Sequence, residues 1–343
     1  MAKGRKIFLI GTLLVLLLVC FLADLFLGSV KIPIKDILSI LFTRQSIHPE
    51  WVTIITDFRI PRAITAVFAG LSLSLAGLQM QTLFRNPLAG PYVLGISSGA
   101  SLGVAILVMG AYILFPGREM HFQTWGIITA AWLGSGLIML LLLLVSFRIK
   151  DIMTILILGI LFGAITIAFV SILQYFTHEA LLKTFIVWTL GSLGNVTRDQ
   201  LPVLLLSLST GVILSVISVK ILNAMLLGEN YARSMGINVM TGRILLFIST
   251  SILAGTVTAF CGPIGFIGIA VPHIARLLWR TADHRTLIPA VMLVGAIILL
   301  ISDMISQLPG SDKVLPVNSV TALIGIPVVV WIVVRNQRFA NLS

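Results

Sequence analysis

Apolar residues along this chain come in long, nearly unbroken runs rather than on one face of a shorter period. Ten runs fall at about residues 7–28, 61–84, 92–115, 124–147, 152–176, 201–222, 240–260, 264–281, 286–307 and 317–335, each near the ~20 residues that cross a bilayer. Hydrocarbon offers no water to backbone N–H and C=O groups, so each run is expected to be a helix. Glycine and proline interrupt the third and eighth runs and make them the weakest of the ten. The expectation is an all-α polytopic membrane protein, one domain over residues 1–343.

Composition agrees. The chain is 58% hydrophobic and 10% charged, with a mean hydropathy of +1.10. A soluble domain carries roughly 25% charged residues, and a soluble core of this length could not bury so much apolar surface. The net charge of +11 would suggest nucleic acid in a soluble protein. Here the basic residues lie in short segments between apolar runs, which is how membrane orientation is encoded. Ten spans put both termini on one side. Lys3, Arg5, Lys6, Arg335 and Arg338 then share the cytoplasm with Arg85, Arg148, Lys150, Lys220, Arg233, Arg243, Arg276, Arg280 and Arg285, more than half of the 23 Lys and Arg. The longer loops, 29–60 and 177–200, fall outside. Cys20 and Cys261 lie in apolar stretches without partner spacing and read as inert. The first run has the basic start of a secretory signal, but it is too long for one and no small-residue cleavage site follows, so a retained helix is expected.

A faint internal repeat is visible. "RAITAVFAGLSLSLAG…RNPLAGPYVLG" begins at Arg62, and "RILLFISTSILAG…CGPIGFIGIAVPHIAR" begins at Arg243. Each has an arginine, a helix of small and apolar residues, an Ala-Gly pair and then a proline–glycine break. The ten-span plan runs the first inward and the second outward, an inverted repeat with interrupted helices of the kind that lines transport paths. Chance likeness between two apolar helices is the alternative.

Gly95-Ile-Ser-Ser-Gly99 spells G-x-S-x-G, the pattern of a nucleophile elbow. An elbow needs a strand before its serine, and a membrane helix precedes this one. Ser97, Ser98 and the glycines around them fit close helix packing better, and an intramembrane serine hydrolase stays as the remote alternative. No G-x-x-x-x-G-K-[ST] phosphate loop occurs, so any use of ATP falls to another chain.

"ILNAMLLGENYARSMGINV" (221–239) breaks the hydrophobic pattern. Ala224 to Met235 reads as a short amphipathic helix, with Gly236 just past its end and Asn238 in the following turn. Glu229 and Arg233 are four apart in the favoured order. Leu227, Tyr231 and Met235 recur at helical spacing on a face that includes Ala232. Such a helix is a solvated connector, lies in the headgroups or docks into a groove on a cytoplasmic partner.

"NPLAGPYVLGISSGASLG", "LLGENYARSMGIN", "GPIGFIGIAVPHIARLL" and "LPVNSVTALIGIPVVVWIVVR" follow one another over some 250 residues. Together they resemble the FecCD-type permeases, the membrane subunits of bacterial ABC importers for iron–siderophores, haem and vitamin B12. The resemblance implies a type II importer permease of about ten helices, paired as a homodimer in the inner membrane with both termini cytoplasmic. Two ATP-binding subunits holding ATP and Mg would lie below, and a substrate-binding protein would dock outside. This chain itself would bind no cofactor and no metal, carry no catalytic residue and have no nucleic-acid partner. An iron chelate is the expected cargo, with vitamin B12 or haem as the alternative.

The resemblance also assigns roles. The coupling helix matches about 224–236, with Leu227, Gly228, Glu229, Tyr231, Ala232, Arg233, Met235 and Gly236 toward the ATPase; for Glu229 and Arg233 the plainer reading is an intrahelical pair. Asn86, Pro87 and Leu88, with Met153 and Thr154, would narrow the path, the alternative being an ordinary capped turn. Arg59 and Arg62 would meet acidic residues of the binding protein, or merely anchor a helix end. Lys313 is a third docking candidate, with Asp312 beside it. His273 reads as a packing histidine, and Pro272 as interrupting its helix. Arg276 and Arg280 would face headgroups or the ATPase. Asp303, an acid deep in a span, is functional by default.

Overall fold

The apolar runs fold as helices, and the computed structural model describes them over residues 3–28, 30–43, 48–110, 124–149, 151–308 and 313–340. In chain order these are α1 (Lys3–Phe26), α2 (Ile34–Thr43), α3 (Pro49–Leu83), α4 (Ile96–Gly110), α5 (Thr124–Ser146), α6 (Ile152–Phe176) and α7 (Glu179–Thr189). Then follow α8 (Leu201–Ile217), α9 (Val219–Met225), α10 (Glu229–Ser234), α11 (Val239–Cys261), α12 (Ile267–Trp279), α13 (His284–Ser306) and α14 (Val317–Ala340). Among the described residues there is no strand. Among the described residues six helices, α1, α3, α5, α6, α11 and α13, are long and apolar enough to cross a membrane, α8 and α9 make a seventh if the bent pair is one span, and α4, α12 and α14 contain shorter apolar helices. Each of the ten apolar runs thus holds a helix, and six or seven of these are of full membrane-crossing length. The end of the third run, 111–115, lies outside the described residues, as do Lys150 and Asp312.

Contacts at the helix ends define two faces. Lys6 Nζ lies 3.4 Å from Thr286 Oγ1, so α1 and α13 start together. Gln307 Nε2 donates to Asp24 Oδ1 at 3.1 Å, so they also end together. The starting side, here called the basic face, also holds the end of α3 and the start of α11. The other is the far face.

α3 is the hub, packed against α8, α11, α12 and α13. Its enclosure depends on missing side chains. A Cβ on Gly70 would collide with the Gly295 carbonyl, and one on Gly77 with the Gly268 carbonyl. Lipid provides no hydrophobic drive between helices, so close backbone approach of this kind supplies the packing. Buried polar groups add to it. Gln79 Nε2 donates to Ser215 Oγ (2.7 Å) and Ser249 Oγ (3.1 Å), and Thr250 Oγ1 donates to Gln79 Oε1 (2.9 Å), joining α3, α8 and α11. The small residues of G-x-S-x-G act likewise: a Cβ on Gly99 would meet Gly134 of α5 at 2.5 Å, and one on Gly95 would meet Gly159 of α6 at 3.1 Å.

Three expectations need correction. The segments 29–60 and 177–200 are not plain loops: α2 and the start of α3 make up most of the first, around Ile32, Ile37, Ile40 and Ile55, and α7 lies in the second. The run 201–222 is not one straight helix; α8 and α9 meet at 54°. Ser218 Oγ donates to the Leu214 carbonyl at 2.7 Å, an i−4 bond that bends helices. Pro272 does not end its helix, because α12 runs through it. The break lies earlier, at Gly262 (φ +74°) and Phe266 (φ +66°).

Candidate functional site

The basic face carries the short projecting helix. Gly228, at φ +103°, a region glycine enters without a Cβ penalty, separates α9 from α10. The expected helix from Ala224 is therefore two helices, and Ala224 and Met225 belong to the first. The far end of α10 closes as the sequence suggests. Gly236 has φ +79°, its N–H donates to the Arg233 carbonyl (3.0 Å), and the Ile237 N–H donates to the Ala232 carbonyl (3.1 Å), a Schellman closure. Asn238 then caps α11 through Thr241 N (3.1 Å).

The side chains divide into two sets. Leu227, Tyr231, Arg233 and Met235 are exposed, each by half or more. Ala232 and Gly228 are buried, so they seat the helix on the bundle and present nothing outward. Glu229 also faces inward. Its Oε1 accepts from Arg243 Nε (2.9 Å) and Nη2 (2.5 Å), whereas Arg233 approaches only to 3.9 Å. Arg243 is 3% exposed. The plainer i,i+4 pairing is thus the lesser of Glu229's two contacts, and its main partner begins α11.

The Asn86–Leu88 turn lies on the same face. Asn86 Oδ1 accepts from Leu88 N (2.9 Å), and the Pro87 carbonyl accepts from His273 Nε2 (2.8 Å). His273 is a satisfied packing histidine. Thr154 donates through both N (2.8 Å) and Oγ1 (2.6 Å) to Asp151 Oδ2, which caps α6. These bonds, led by that of the Thr154 hydroxyl, hold the Asp151 carboxyl below its usual range. Asn86 and Thr154 are thus engaged in shaping backbone, while Leu88 and Met153 remain as exposed apolar side chains. Arg276 does not simply face headgroups: Nη1 donates to Gln81 Oε1 at 2.6 Å. Arg280 is exposed at the left-handed end of α12.

On the far face the expected arginine pair separates. Arg59 is buried, its Nη1 donating to the Leu25 carbonyl (2.8 Å) and its Nη2 to the Val30 carbonyl (2.5 Å). It closes the end of α1, where helical carbonyls have no partners of their own, and does not point outward for docking. Arg62 forms a bidentate bridge to the buried Asp303, Nε to Oδ2 at 2.8 Å and Nη2 to Oδ1 at 2.8 Å, and is only 19% exposed. Gln307 Nε2 links Asp303 Oδ2 (3.0 Å) to Asp24 Oδ1 (3.1 Å). The acid deep in span nine is thus the partner of Arg62. Lys313 is exposed near this face.

The two segments that share the pattern meet inside the bundle. After α3 the chain turns at Asn86 and re-enters through a short 3₁₀ turn, Pro91–Leu94. After α11 it re-enters from the far face through Gly262–Phe266. Tyr92 Oη lies 3.4 Å from both Thr258 Oγ1 and Ile264 N, so the breaks touch. Sequence reasoning missed this junction, Arg243, Arg62–Asp303 and the Gln79 cluster. Buried polar residues inside apolar runs were the available signal.

This architecture recurs in known proteins. The FecCD transport family model matches residues 16–335. The chain is 32% identical over 331 residues to the hemin transport system permease protein HmuU of Yersinia pestis, covering 96% of both chains. It is 34% identical over 316 residues to the vitamin B12 import system permease protein BtuC of Salmonella typhi, covering 90% of this chain and 94% of that one. A solved structure described as an inward-facing conformation of a metal-chelate type ABC transporter superposes with a TM-score of 0.82 at 27% identity, over 95% of this chain and 99% of that one. Fold, broken helices and likeness over nearly the whole length agree: the chain belongs to the FecCD transport family, as a multi-pass membrane permease of an ABC importer.

Proposed function

We propose that this chain imports an iron chelate across a bacterial inner membrane, working as a homodimer with two ATP-binding subunits in the cytoplasm and a substrate-binding protein outside. In this reading the basic face is cytoplasmic, in accord with the positive-inside rule. ATP and Mg belong to the partner subunits. The observation that carries the reading is the surface at α10: Tyr231 and Arg233 on the helix, Leu227 just before it and Met235 at its end are exposed, while Glu229 and Ala232 anchor the helix to the bundle. An exposed apolar triad with one cation, held rigidly, suits a groove on a partner.

Motion of α10 then reaches α11 through Arg243, and α11 leads to the break at Gly262 beside Tyr92. Two arrangements of these broken segments would open the path alternately to each side. Leu88 and Met153 are the side chains proposed to close it on the cytoplasmic side, with Asn86, Pro87 and Thr154 fixing the backbone that carries them. Arg62 and Lys313 remain the proposed contacts for the binding protein.

The test is uptake by proteoliposomes holding the full complex with its own ATPase and binding protein. ATP-dependent accumulation of a ferric siderophore, with neither vitamin B12 nor haem transported, is expected. Transport of vitamin B12 or haem in its place would move the assignment to that cargo, which the names of the relatives equally support.

A further inference from the structure

The bend between α8 and α9 opens a crevice of about 520 Å³ against the start of α13. Its walls are graded. Val216 and Ile217 of α8 and Ile288 and Pro289 of α13 supply an apolar slot. Lys220 of α9 and Arg285 of α13 stand at its mouth, both exposed. Chain direction fixes the order: α8 and α9 run toward the basic face and α13 runs away from it. The slot therefore lies deeper in the membrane and the cations lie at its surface.

Neighbouring charges strengthen the contrast. Lys6 Nζ reaches Thr286 Oγ1 on the same turn of α13. The adjacent acid, Asp283, is already engaged: its Oδ1 accepts from Asn223 Nδ2 (2.7 Å) and Arg285 N (3.0 Å). The buried His284 ring is held between Thr82 Oγ1 (2.9 Å) and Asn223 Oδ1 (2.8 Å).

We propose that this crevice is a binding site for an acidic phospholipid of the leaflet on the basic face. An acyl chain would lie along Val216, Ile217, Ile288 and Pro289, and the phosphate between Lys220 and Arg285. Basic pockets between membrane helices select anionic headgroups in this way. The inference requires only that the chain spans a membrane, so it stands or falls apart from the cargo and the partners.

Native mass spectrometry of the purified full chain, titrated with dioleoyl phosphatidylglycerol or dioleoyl phosphatidylcholine, tests it. Phosphatidylglycerol should bind at least about tenfold more tightly, and the double variant Lys220→Gln/Arg285→Gln should lose that preference by about tenfold or more. Arg148→Gln/Arg280→Gln removes two exposed cations from the same face and should leave it intact. Val216→Trp keeps both charges, fills the slot and should weaken binding of phosphatidylglycerol. Equal binding of the two lipids would overturn the site. So would equal losses in the two double variants, or unchanged binding in Val216→Trp.

Discussion

Glu229 and Arg243 hold each other across a loop and two helices, one carboxylate oxygen accepting from both Nε and Nη2. Charge-assisted hydrogen bonds of this kind are about twice as strong as neutral ones, and Arg243 has almost no contact with solvent. The pair ties α10 to the start of α11. Arg243→Ala is expected to lower stability by ~2 kcal/mol, because it leaves a partly buried carboxylate without its main partner. It should also reduce uptake more than ATP hydrolysis in the reconstituted complex. A double-mutant cycle with Glu229→Gln measures the link; additive effects on uptake would show that α10 and α11 are not coupled through it.

The outward face of α10 should behave differently. Leu227→Glu and Tyr231→Glu alter exposed side chains, so thermal stability is expected to stay within ~0.5 kcal/mol of the parent. Affinity for the ATP-binding subunit, read by co-purification, should fall at least tenfold. Intact affinity in both variants would remove this surface from the partner interface.

Arg62 and Asp303 form a buried pair, and removing one member of such a pair strands the other. Asp303→Ala is expected to cost ~3 kcal/mol, whereas Arg62→Met with Asp303→Leu should recover most of the loss. Denaturation in detergent gives both values. If Arg62→Met left stability unchanged yet weakened binding-protein affinity, Arg62 would be a docking residue first and a structural one second.

Glycine positions provide an internally controlled test. Gly77→Ala drives a methyl into the Gly268 carbonyl and should destabilise by roughly 1–3 kcal/mol. Gly136→Ala meets nothing within 4 Å and should be neutral or slightly stabilising. Equal melting temperatures for the two variants would mean that α3 and α12 do not pack as described.

Asp151 carries a pH signature. Its carboxyl is held below the usual range in the folded protein, chiefly by the Thr154 hydroxyl. A depressed folded pKa gives stability that is full above the unfolded value of about 3.9 and is lost as pH falls through the folded one. The melting temperature of Asp151→Ala should therefore lie below that of the parent by a constant margin between about pH 5 and 8, and the gap should close toward pH 3. A gap that widened on acidification would contradict the cap.

The apolar helices were legible because hydropathy reports directly on the lipid environment, and the end of α10 was legible because Gly236 has one efficient use there. Partner choice was not. Arg59 and Arg62 stand three residues apart in "FRIPR" and look equivalent, yet one turns to the end of α1 and the other to α13. Their acceptors lie 34 and 241 residues away, beyond any local pattern. Gly228 could have been read as a break, since glycine is permitted before a helix, but the apolar residues around it looked continuous. Ser218 gave no warning of the bend, because serine occurs in many straight helices.

The Arg59 cap also bears on how the protein is built. α1 leaves the ribosome before Arg59 does, so its last carbonyls first have only water and headgroups for partners. Docking of α1 against α13 must wait for the segment that supplies the guanidinium and for a helix that comes more than two hundred residues later. A span made well before α13 is thus locked in place only once α13 has followed. Arrested nascent chains ending before α13 should leave the far end of α1 open to aqueous thiol probes, and chains that include it should close it.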